Sequence, residues 1–375
     1  MKFCIVGDLH CTQEKGSNSF LYANIPDKPV SQNPLTSFLE VADTDSKIDS
    51  DVIICLGDLG DKANEHGIKS GWDAISRMDS KLNCNLKVGV AGNHDVDSRK
   101  IYSQEPHKFI KNFSVDFPTS DPNLNSKFWN DGYCLYESSD LEILLINTVR
   151  THIGIPESKE SAVDSITLEE IDKLLNVGVD KIKLCILHHH PIKHSNINNW
   201  KDNDSLENGD ELIAVLNKYD YDLVIHGHKH QPRIVETGGV TIFAAGSFSS
   251  FENLFGTGLN TMFHIIEIVD KGKGKIMSWE FNLKKGWGQA LNHNFPPEIG
   301  FGGSIDLDKL AASIHQYFLA KGLNTIVYQD LISEIPILEY LIPDKLIRLK
   351  GILNKKYKLF MQPDFPLRPY LITTK

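Results

Sequence analysis

The sequence predicts an α/β fold over about the first 290 residues, followed by a separate small domain. Three observations carry this reading. Short apolar, strand-like runs recur from residue 3 to residue 281, helical segments fall between them, and the chain changes character after a Pro/Gly-punctuated stretch at 292–303. Strand–helix alternation of this kind builds sheets with helices on their faces.

The strand-like runs are FCIV (3–6), VIICL (52–56), LKVGV (86–90), LEILLI (141–146), IKLCIL (182–187), DLVIH (222–226), VTIFAA (240–245), FHIIEIV (263–269) and KIMSWEF (275–281). Several are continuously apolar rather than alternating, the pattern of strands covered on both faces. Helices are predicted over Ser37–Asp43, Gly71–Ser80, Thr167–Leu175 and Gly209–Lys218. The third opens on TLEE, a capping box with Thr167 at the cap and Glu170 three residues on. The stretch 12–36, rich in Gly, Ser, Asn and Pro, reads as an insertion beside a strand end, and no solenoid-period repeat is visible.

The domain division follows: 1–291, a linker at 292–303 (NHNFPPEIGFGG), and a small accessory domain at 304–375. The last segment has ten Lys/Arg and seven Asp/Glu, a local net of roughly +3 in an acidic chain. Leu307, Leu310, Ile314, Tyr317 and Phe318 form one apolar stripe on a helix over 304–321. Further helix around 328–353, then KYKLF (356–360) and YLITT (370–374), suggest a small winged-helix-like unit. It is expected to pack beside the larger domain or to make a dimer or protein-partner contact.

Composition narrows the partners. Of 375 residues, 41% are hydrophobic and 23% charged, ordinary for a globular chain with a substantial core. The formal net charge of -10 argues against general affinity for duplex nucleic acid or an anionic membrane. The opening MKFCIVGDLH is too short for a secretory apolar region, and no segment approaches a membrane span, so a cytoplasmic location is expected. Six cysteines show no CxxC pairing, and Cys4, Cys55 and Cys185 lie in apolar runs as small hydrophobes, which fits a reducing compartment.

Chemistry-bearing residues fall where strands end. FCIV leads into Gly7-Asp8-Leu9-His10, and VIICL into Gly57-Asp58-Leu59-Gly60-Asp61. LKVGVA leads into Gly92-Asn93-His94-Asp95, IKLCIL into His188-His189-His190-Pro191, and DLVI into His226-Gly227-His228-Lys229-His230. Polar residues past the carboxyl ends of neighbouring strands converge on one crevice. Asp8 and His10 stand two apart, as do His228 and His230, so each pair shares a face on an extended segment, as chelating pairs must. Carboxylate, amide and imidazole donors without thiolate suit Mn, Fe, Zn or Ni. Singly, each block is an ordinary turn or cap; all five in order after strands are not coincidence. Alternation forbids His188, His189 and His190 from sharing one target, but the residues alone do not choose among them.

The order D-x-H, G-D-x-x-D, G-N-H-D, H, G-H-x-H resembles the calcineurin-like metallophosphoesterase family over roughly residues 1–290. The resemblance implies a four-layer αββα sandwich with two divalent metal ions between its sheets, with Mn the expected metal in vitro. It implies one metal on Asp8, His10 and His230, a second on Asn93, a histidine of the run and His228, and Asp58 bridging both. The family's H-x-P pattern points to His189 as the ligand of the run, with His188 the substitute. His190 would line the pocket, while His66, His152, His194 and His226 carry structural readings. By the same resemblance His94 contacts the phosphate and helps the leaving group depart, and Asp61 orients His94. Asp95 reads as a turn or cap residue, and Lys229 as facing solvent.

Departures narrow the branch. Purple acid phosphatases have a ligating tyrosine where this chain has Asp61, and serine/threonine phosphatases have arginines where it has Ala91 and Lys62 and a glutamate in place of Asp95. LHHHP, AGNHD and AAGS (244–247) look most like the bacterial cyclic-nucleotide phosphodiesterase branch. The implied activity is hydrolysis of phosphodiesters of small nucleotide-type substrates by a hydroxide shared between two metals. A nuclease acting on single-stranded or short nucleic acid, and a non-catalytic scaffold keeping the fold, are the alternatives.

Overall fold

A computed structural model of the chain describes residues 1–13, 19–22, 32–157, 161–178, 180–193, 205–250, 261–290, 295–363 and 369–374. His194, the start of the expected linker and much of the expected insertion at 12–36 lie outside them. In chain order the first elements are β1 (Lys2–Val6), α1 (Pro34–Thr44), β2 (Val52–Cys55), α2 (Glu65–Leu82) and β3 (Leu86–Gly89). Then come α3 (Lys108–Asn112), α4 (Pro122–Asn130), β4 (Tyr133–Glu137), β5 (Leu141–Ile146), α5 (Ser165–Leu174), β6 (Ile182–Leu187), α6 (Gly209–Lys218) and β7 (Leu223–His226). β8 (Arg233–Thr237), β9 (Val240–Ala244), β10 (Met262–Asp270), β11 (Lys273–Asn282), β12 (Gly286–Gln289) and β13 (Glu298–Phe301) complete the larger domain.

Two sheets result. One runs β12-β11-β10-β1-β2-β3 with β13 also paired to β11; the other runs β4-β5-β6-β7-β9-β8. β1, β2 and β3 are mutually parallel, and so are β5, β6, β7 and β9, so their carboxyl ends lie together at one rim of each sheet.

The continuous apolar runs explain the layering. On β5, β6 and β7, Ile143, Leu145, Leu184, Ile186, Leu223 and Ile225 enter the core shared with the first sheet. Their alternates Leu144, Ile146, Cys185, Leu187 and Val224 join a second core with Leu168 and Ile171 of α5 and Leu212 and Leu216 of α6. On the outer face of the first sheet, α1 and α2 supply Phe38, Ile68, Trp72, Ile75 and Met78. The result is a helix–sheet–sheet–helix sandwich, four layers deep. Each fully buried Leu or Ile contributes about 1.5–3 kcal/mol of apolar burial.

Three local expectations change. Asp164, not Thr167, caps α5: its carboxylate accepts the Thr167 N–H at 2.9 Å. An aspartate one turn earlier outcompetes the hydroxyl for the free amides. The stretch read as a linker is in part a strand, since β13 extends the sheet through β11. Periodicity could not reveal a four-residue strand flanked by Pro and Gly. The expected helix over 328–353 is interrupted at Pro336 and Pro343, where each proline starts a new turn.

The last domain comprises α7 (Leu307–Lys321), β14 (Thr325–Val327), α8 (Tyr328–Glu334), α9 (Pro343–Ile352), β15 (Phe360–Gln362) and β16 (Leu371–Thr373), with a sheet ordered β14-β16-β15. Helix–strand–helix–helix–strand–strand is winged-helix connectivity. Leu307, Leu310, Ile314 and Phe318 of the expected stripe pack in its own core. It abuts the larger domain through Lys345 Nζ on Glu236 Oε2 at 2.6 Å and Lys275 Nζ on Glu339 Oε1 at 2.7 Å. Among the described residues no helix is long and apolar enough to cross a membrane, and all six cysteines are free thiols.

Candidate metal centre

Beyond the carboxyl ends of β1, β2 and β7 the chain turns sharply. Asp8, His10, Asp58, His228 and His230 all have positive φ, at 52°, 46°, 51°, 73° and 51°. Left-handed backbone is uncommon for residues with a Cβ and costs about 1–3 kcal/mol each, so the surroundings must enforce it. They do: Asp8 N–H donates to Gly57 O at 3.0 Å, His10 N–H to Asp58 O at 2.8 Å, and the Ser247 hydroxyl to Asp8 O at 2.6 Å. Asp8 and His10 therefore do not share the face of an extended segment, as their spacing suggested. β1 ends at Val6, and a pair of left-handed kinks aims the two side chains instead.

Among the described residues, two of the donor groups meet at Asp58. In the first, His10 Nε2 and His230 Nε2 are 2.8 Å apart, with Asp8 Oδ1 3.7 Å from His230 Nε2 and Asp58 Oδ2 3.5 Å from His10 Nε2. In the second, Asn93 Oδ1 lies 3.0 Å from both His188 Nε2 and His228 Nδ1. Asp58 Oδ2 is also 3.5 Å from His188 Nε2, so one carboxylate oxygen stands between the groups. The other, Oδ1, accepts the His94 N–H at 2.7 Å and is thereby fixed.

The histidine run is divided as alternation requires. His188 Nδ1 donates to Leu56 O at 2.7 Å, which turns Nε2 toward Asn93 and Asp58. His189 lies on another side, with Nδ1 at 2.8 Å from the Thr148 hydroxyl and its ring edge-on to His188. Its ring nonetheless comes within 4.5 Å of His228, so His188, His189 and His228 have nitrogens within 4.8 Å of one another. The contacts to Asn93 and Asp58 belong to His188, whereas the family pattern pointed to His189.

His190 stacks on His228 at 5.8 Å, and His152 bonds the Ser161 hydroxyl at 3.2 Å. His226 is buried at the end of β7, and His66 is exposed on α2. Lys229 is half-buried between His228 and His230.

His94 lies outside these two groups and makes a third with Asp61 and His10, their donor atoms within 4.8 Å of one another. Its Nδ1 lies 2.8 Å from Asp61 Oδ1, a carboxylate–imidazole bond that orients the ring. His94 lines a cavity of about 230 Å³ together with Asn93.

The electrostatics follow from burial. Burial pushes Asp8 up to about 7, with the Asp58 charge adding to it. Burial also raises Asp58, but His188, His94 and His10 around it hold it well below the usual carboxylate range. Burial lowers His10 and His189 strongly and takes His230 to about 4, so these imidazoles are neutral with lone pairs to offer. His188 is the exception: burial opposes its charge, yet Asp58 lifts it to about 9. His94 is likewise opposed by burial and raised by Asp58 and Asp61.

This donor set fits a pair of divalent cations. Among the described residues the buried Asp8 Oδ2 has no hydrogen-bond partner, and an unpaired buried carboxylate oxygen is expensive. A Cβ on Gly92 would stand 2.1 Å from Asp58 Oδ1, and one on Gly227 2.8 Å from Asp8 Oδ2, so both loops close tightly on the carboxylates.

Asp95, read as a turn or cap residue, does cap the turn at Asn93–Asp95 and also reaches a second loop. Its buried carboxylate accepts the N–H of Gly60 at 3.0 Å and of Gly92 at 2.9 Å, tying the loop after β2 to the loop after β3. Burial and Asp58 push it up to about 7. Ser247 in the AAGS segment and Thr148 are further supports that no local pattern marked, because their partners are remote in sequence.

Comparisons with known proteins identify the family. The sequence model of a family described as Calcineurin-like phosphoesterase matches residues 1–232, and one described as wHTH-Calcineurin_assc matches residues 299–355. A protein of Ruthia magnifica subsp. Calyptogena magnifica, named probable cyclic nucleotide phosphodiesterase, is 28% identical over 218 residues, spanning 57% of this chain and 76% of that protein. One of the same name from Vesicomyosocius okutanii subsp. Calyptogena okutanii is 28% identical over 219 residues, spanning 57% and 78%. In fold, the chain is similar to a dimetal phosphatase from Danio rerio, with TM-score 0.50 and 11% identity over 80% of this chain and 98% of that one.

Proposed function

From a chain that belongs to the calcineurin-like phosphoesterase family, and is thus a metal-dependent phosphoester hydrolase, we propose a dinuclear enzyme acting on phosphodiesters of small nucleotide-type substrates. The single observation that carries the dinuclear reading is Asp58 Oδ2, 3.5 Å from a nitrogen of each donor group. One metal would be held by Asp8, His10 and His230, the other by Asn93, His188 and His228, with Asp58 common to both. His188 replaces His189 in this assignment because its Nε2 faces Asn93 and Asp58. Manganese is the ion to try first, since carboxylate, amide and imidazole donors suit it.

When bound, such a pair of cations supplies positive charge to the phosphoryl oxygens and acidifies the water that attacks phosphorus. The chain's own residues do the rest. Asp8 and Asp58 bring only two negative charges, so the loaded site keeps a positive surplus for a phosphate ester. Asp61 holds His94 by Nδ1, leaving Nε2 to contact the phosphate and give a proton to the departing oxygen. The Asp61 carboxylate at Nδ1 favours the protonated ring that this role needs. The nucleotide-type substrate is supported by the names of the two relatives.

The test is metal reconstitution followed by a screen of a cyclic nucleotide, an aryl phosphodiester and single-stranded DNA. Turnover of the small diesters in preference to DNA is expected; preference for DNA would make the enzyme a nuclease, and no turnover at all would leave a scaffold. For the ligand assignment, His188→Ala should lose one metal by elemental analysis while His189→Ala keeps two. The reverse result restores His189.

A further inference from the structure

The cavity that opens on Asn93 and His94 continues outward past Lys62, Arg99, Ile101 and Ile155. The segment carrying Arg99 is built, not loose. The buried Asp97 carboxylate accepts three consecutive backbone N–H groups, from Ile101 at 2.8 Å, Tyr102 at 2.6 Å and Ser103 at 2.9 Å. Its own N–H donates to Pro106 O at 3.0 Å, closing the loop. Three donors on one carboxylate anchor the backbone from which Arg99 projects.

Lys62 is held just as firmly. Lys62 and Ala63 both have positive φ, 53° and 57°, and the Ala63 N–H donates to His94 O at 2.7 Å. This strained pair ties the Lys62 backbone to the residue that faces the leaving group. Lys62 Nζ reaches Asp61 at 3.7 Å, whereas among the described residues no carboxylate pairs with Arg99. Ile101 and Ile155, 61% and 54% exposed, add apolar surface to the same cavity. The cavity holds about 230 Å³, room for a group beyond the reacting phosphate.

We propose that Arg99, together with Lys62, forms an anion subsite that selects phosphoesters carrying a second phosphate on the leaving-group side. Resting on the dinuclear phosphoesterase reading above, this narrows the substrate class. The reacting phosphate sits at the metal centre, a nucleoside-sized body lies against Ile101 and Ile155, and the further phosphate meets the Arg99 fork. A guanidinium offers a phosphate two parallel N–H bonds, which a lysine cannot. A simple cyclic mononucleotide, whose sole phosphate is the one being cleaved, leaves this subsite unused.

The experiment uses the full-length, manganese-loaded protein and calorimetric binding of two nucleotides, adenosine 3′,5′-bisphosphate and adenosine 5′-monophosphate. Wild type should bind the bisphosphate about tenfold tighter, the size of one charge-assisted hydrogen bond at a half-open site. Arg99→Gln should erase that preference and Arg99→Lys should retain part of it. Lys100→Gln, the same loss of charge one residue away, should leave the ratio intact. In turnover, the dinucleotide pApA should show a lower KM than ApA in wild type and the same KM in Arg99→Gln. Wild-type protein with no preference, or a ratio unchanged by Arg99→Gln, overturns the proposal while hydrolysis of aryl diesters persists. A wild type that hydrolyses no phosphoester instead overturns the parent reading, and this subsite with it.

Discussion

Gly92→Ala tests whether the site depends on how closely its loops approach. Gly92 has φ −102° and ψ 173°, a conformation open to any residue, so alanine meets no backbone strain there. The obstacle is contact. A Cβ would stand 2.1 Å from Asp58 Oδ1 and 2.5 Å from Asp58 N. The carboxylate could swing away, but the backbone nitrogen cannot, so the loop after β2 must retreat by roughly 1 Å to reach normal contact. That retreat moves the oxygen shared by both donor groups and loosens the 2.7 Å bond from the His94 N–H. Overpacking of this kind costs about 1–3 kcal/mol, which a domain with so large a core survives. A displacement near 1 Å at a reacting centre costs about 10² in rate. The variant should therefore fold, hold fewer than two metals per chain, and lose about 100-fold in kcat/KM on bis(p-nitrophenyl) phosphate. Gly288→Ala, whose Cβ meets nothing within 4 Å, is the matched control and should behave as wild type. Full metal content and unchanged kcat/KM in Gly92→Ala would refute the reasoning that Asp58 is held in register by this contact.

His94→Ala should keep both metals and lose about 10²–10⁴ in rate, more on alkyl-type diesters than on nitrophenyl esters, whose leaving group needs no proton. Equal losses in a side-by-side kinetic comparison would reduce His94 to a phosphate-positioning residue. Burial works against the Asp116 charge, but hydrogen bonds from Lys87, Ser114 and Trp72 hold its carboxyl down at about 2. A depressed carboxylate pKa stabilises the fold above the unfolded value near 4, and the gain is lost as pH falls through 2. Asp116→Asn should thus lower stability at pH 7 by about 1 kcal/mol after solvent screening, with the gap closing between pH 4 and 2 in urea titrations. A gap independent of pH would assign the effect to packing. Truncation after Gly303 keeps β13 on β11, so elemental analysis should still find two metals; loss of both would make the winged domain part of the metal-holding core.

Much of the sandwich is legible in local pattern. LEILLI, IKLCIL and the helix Gly209–Lys218 stand where their patterns predict them; the two strands are buried on both faces, and their one charged residue each, Glu142 and Lys183, pair with one another at 3.8 Å. Short or half-exposed strands were not legible: β4, β8, β12 and β13 alternate weakly and form because a neighbouring edge is there to pair with. The site divides in the same way. Asp8, His10, Asp58, Asp61, Asn93, His94, His228 and His230 were singled out from blocks after strands, and the fold brings them into one crevice. Thr148 and Arg99 carry no such mark, and Asp95, Ser247 and Lys62 stand in or beside marked blocks whose spacing does not show what they reach, since Gly60, Asp8 and the cavity lie across loops distant in sequence.

By itself the sequence determined the chemistry on offer: carboxylate, amide and imidazole donors, no thiolate, each block one turn past a strand. That much is local, because residue type and strand end are properties of a few consecutive positions. Tertiary structure alone decided aim. Five left-handed residues, four of them tied by hydrogen bonds to neighbouring loops, point these donors where spacing on an extended chain would not. The contact between β6 and the loop after β2 turns His188, not His189, toward Asn93 and Asp58. Direction of a side chain at a strand end depends on which backbone carbonyl lies opposite, here Leu56 O, and that partner is 132 residues away.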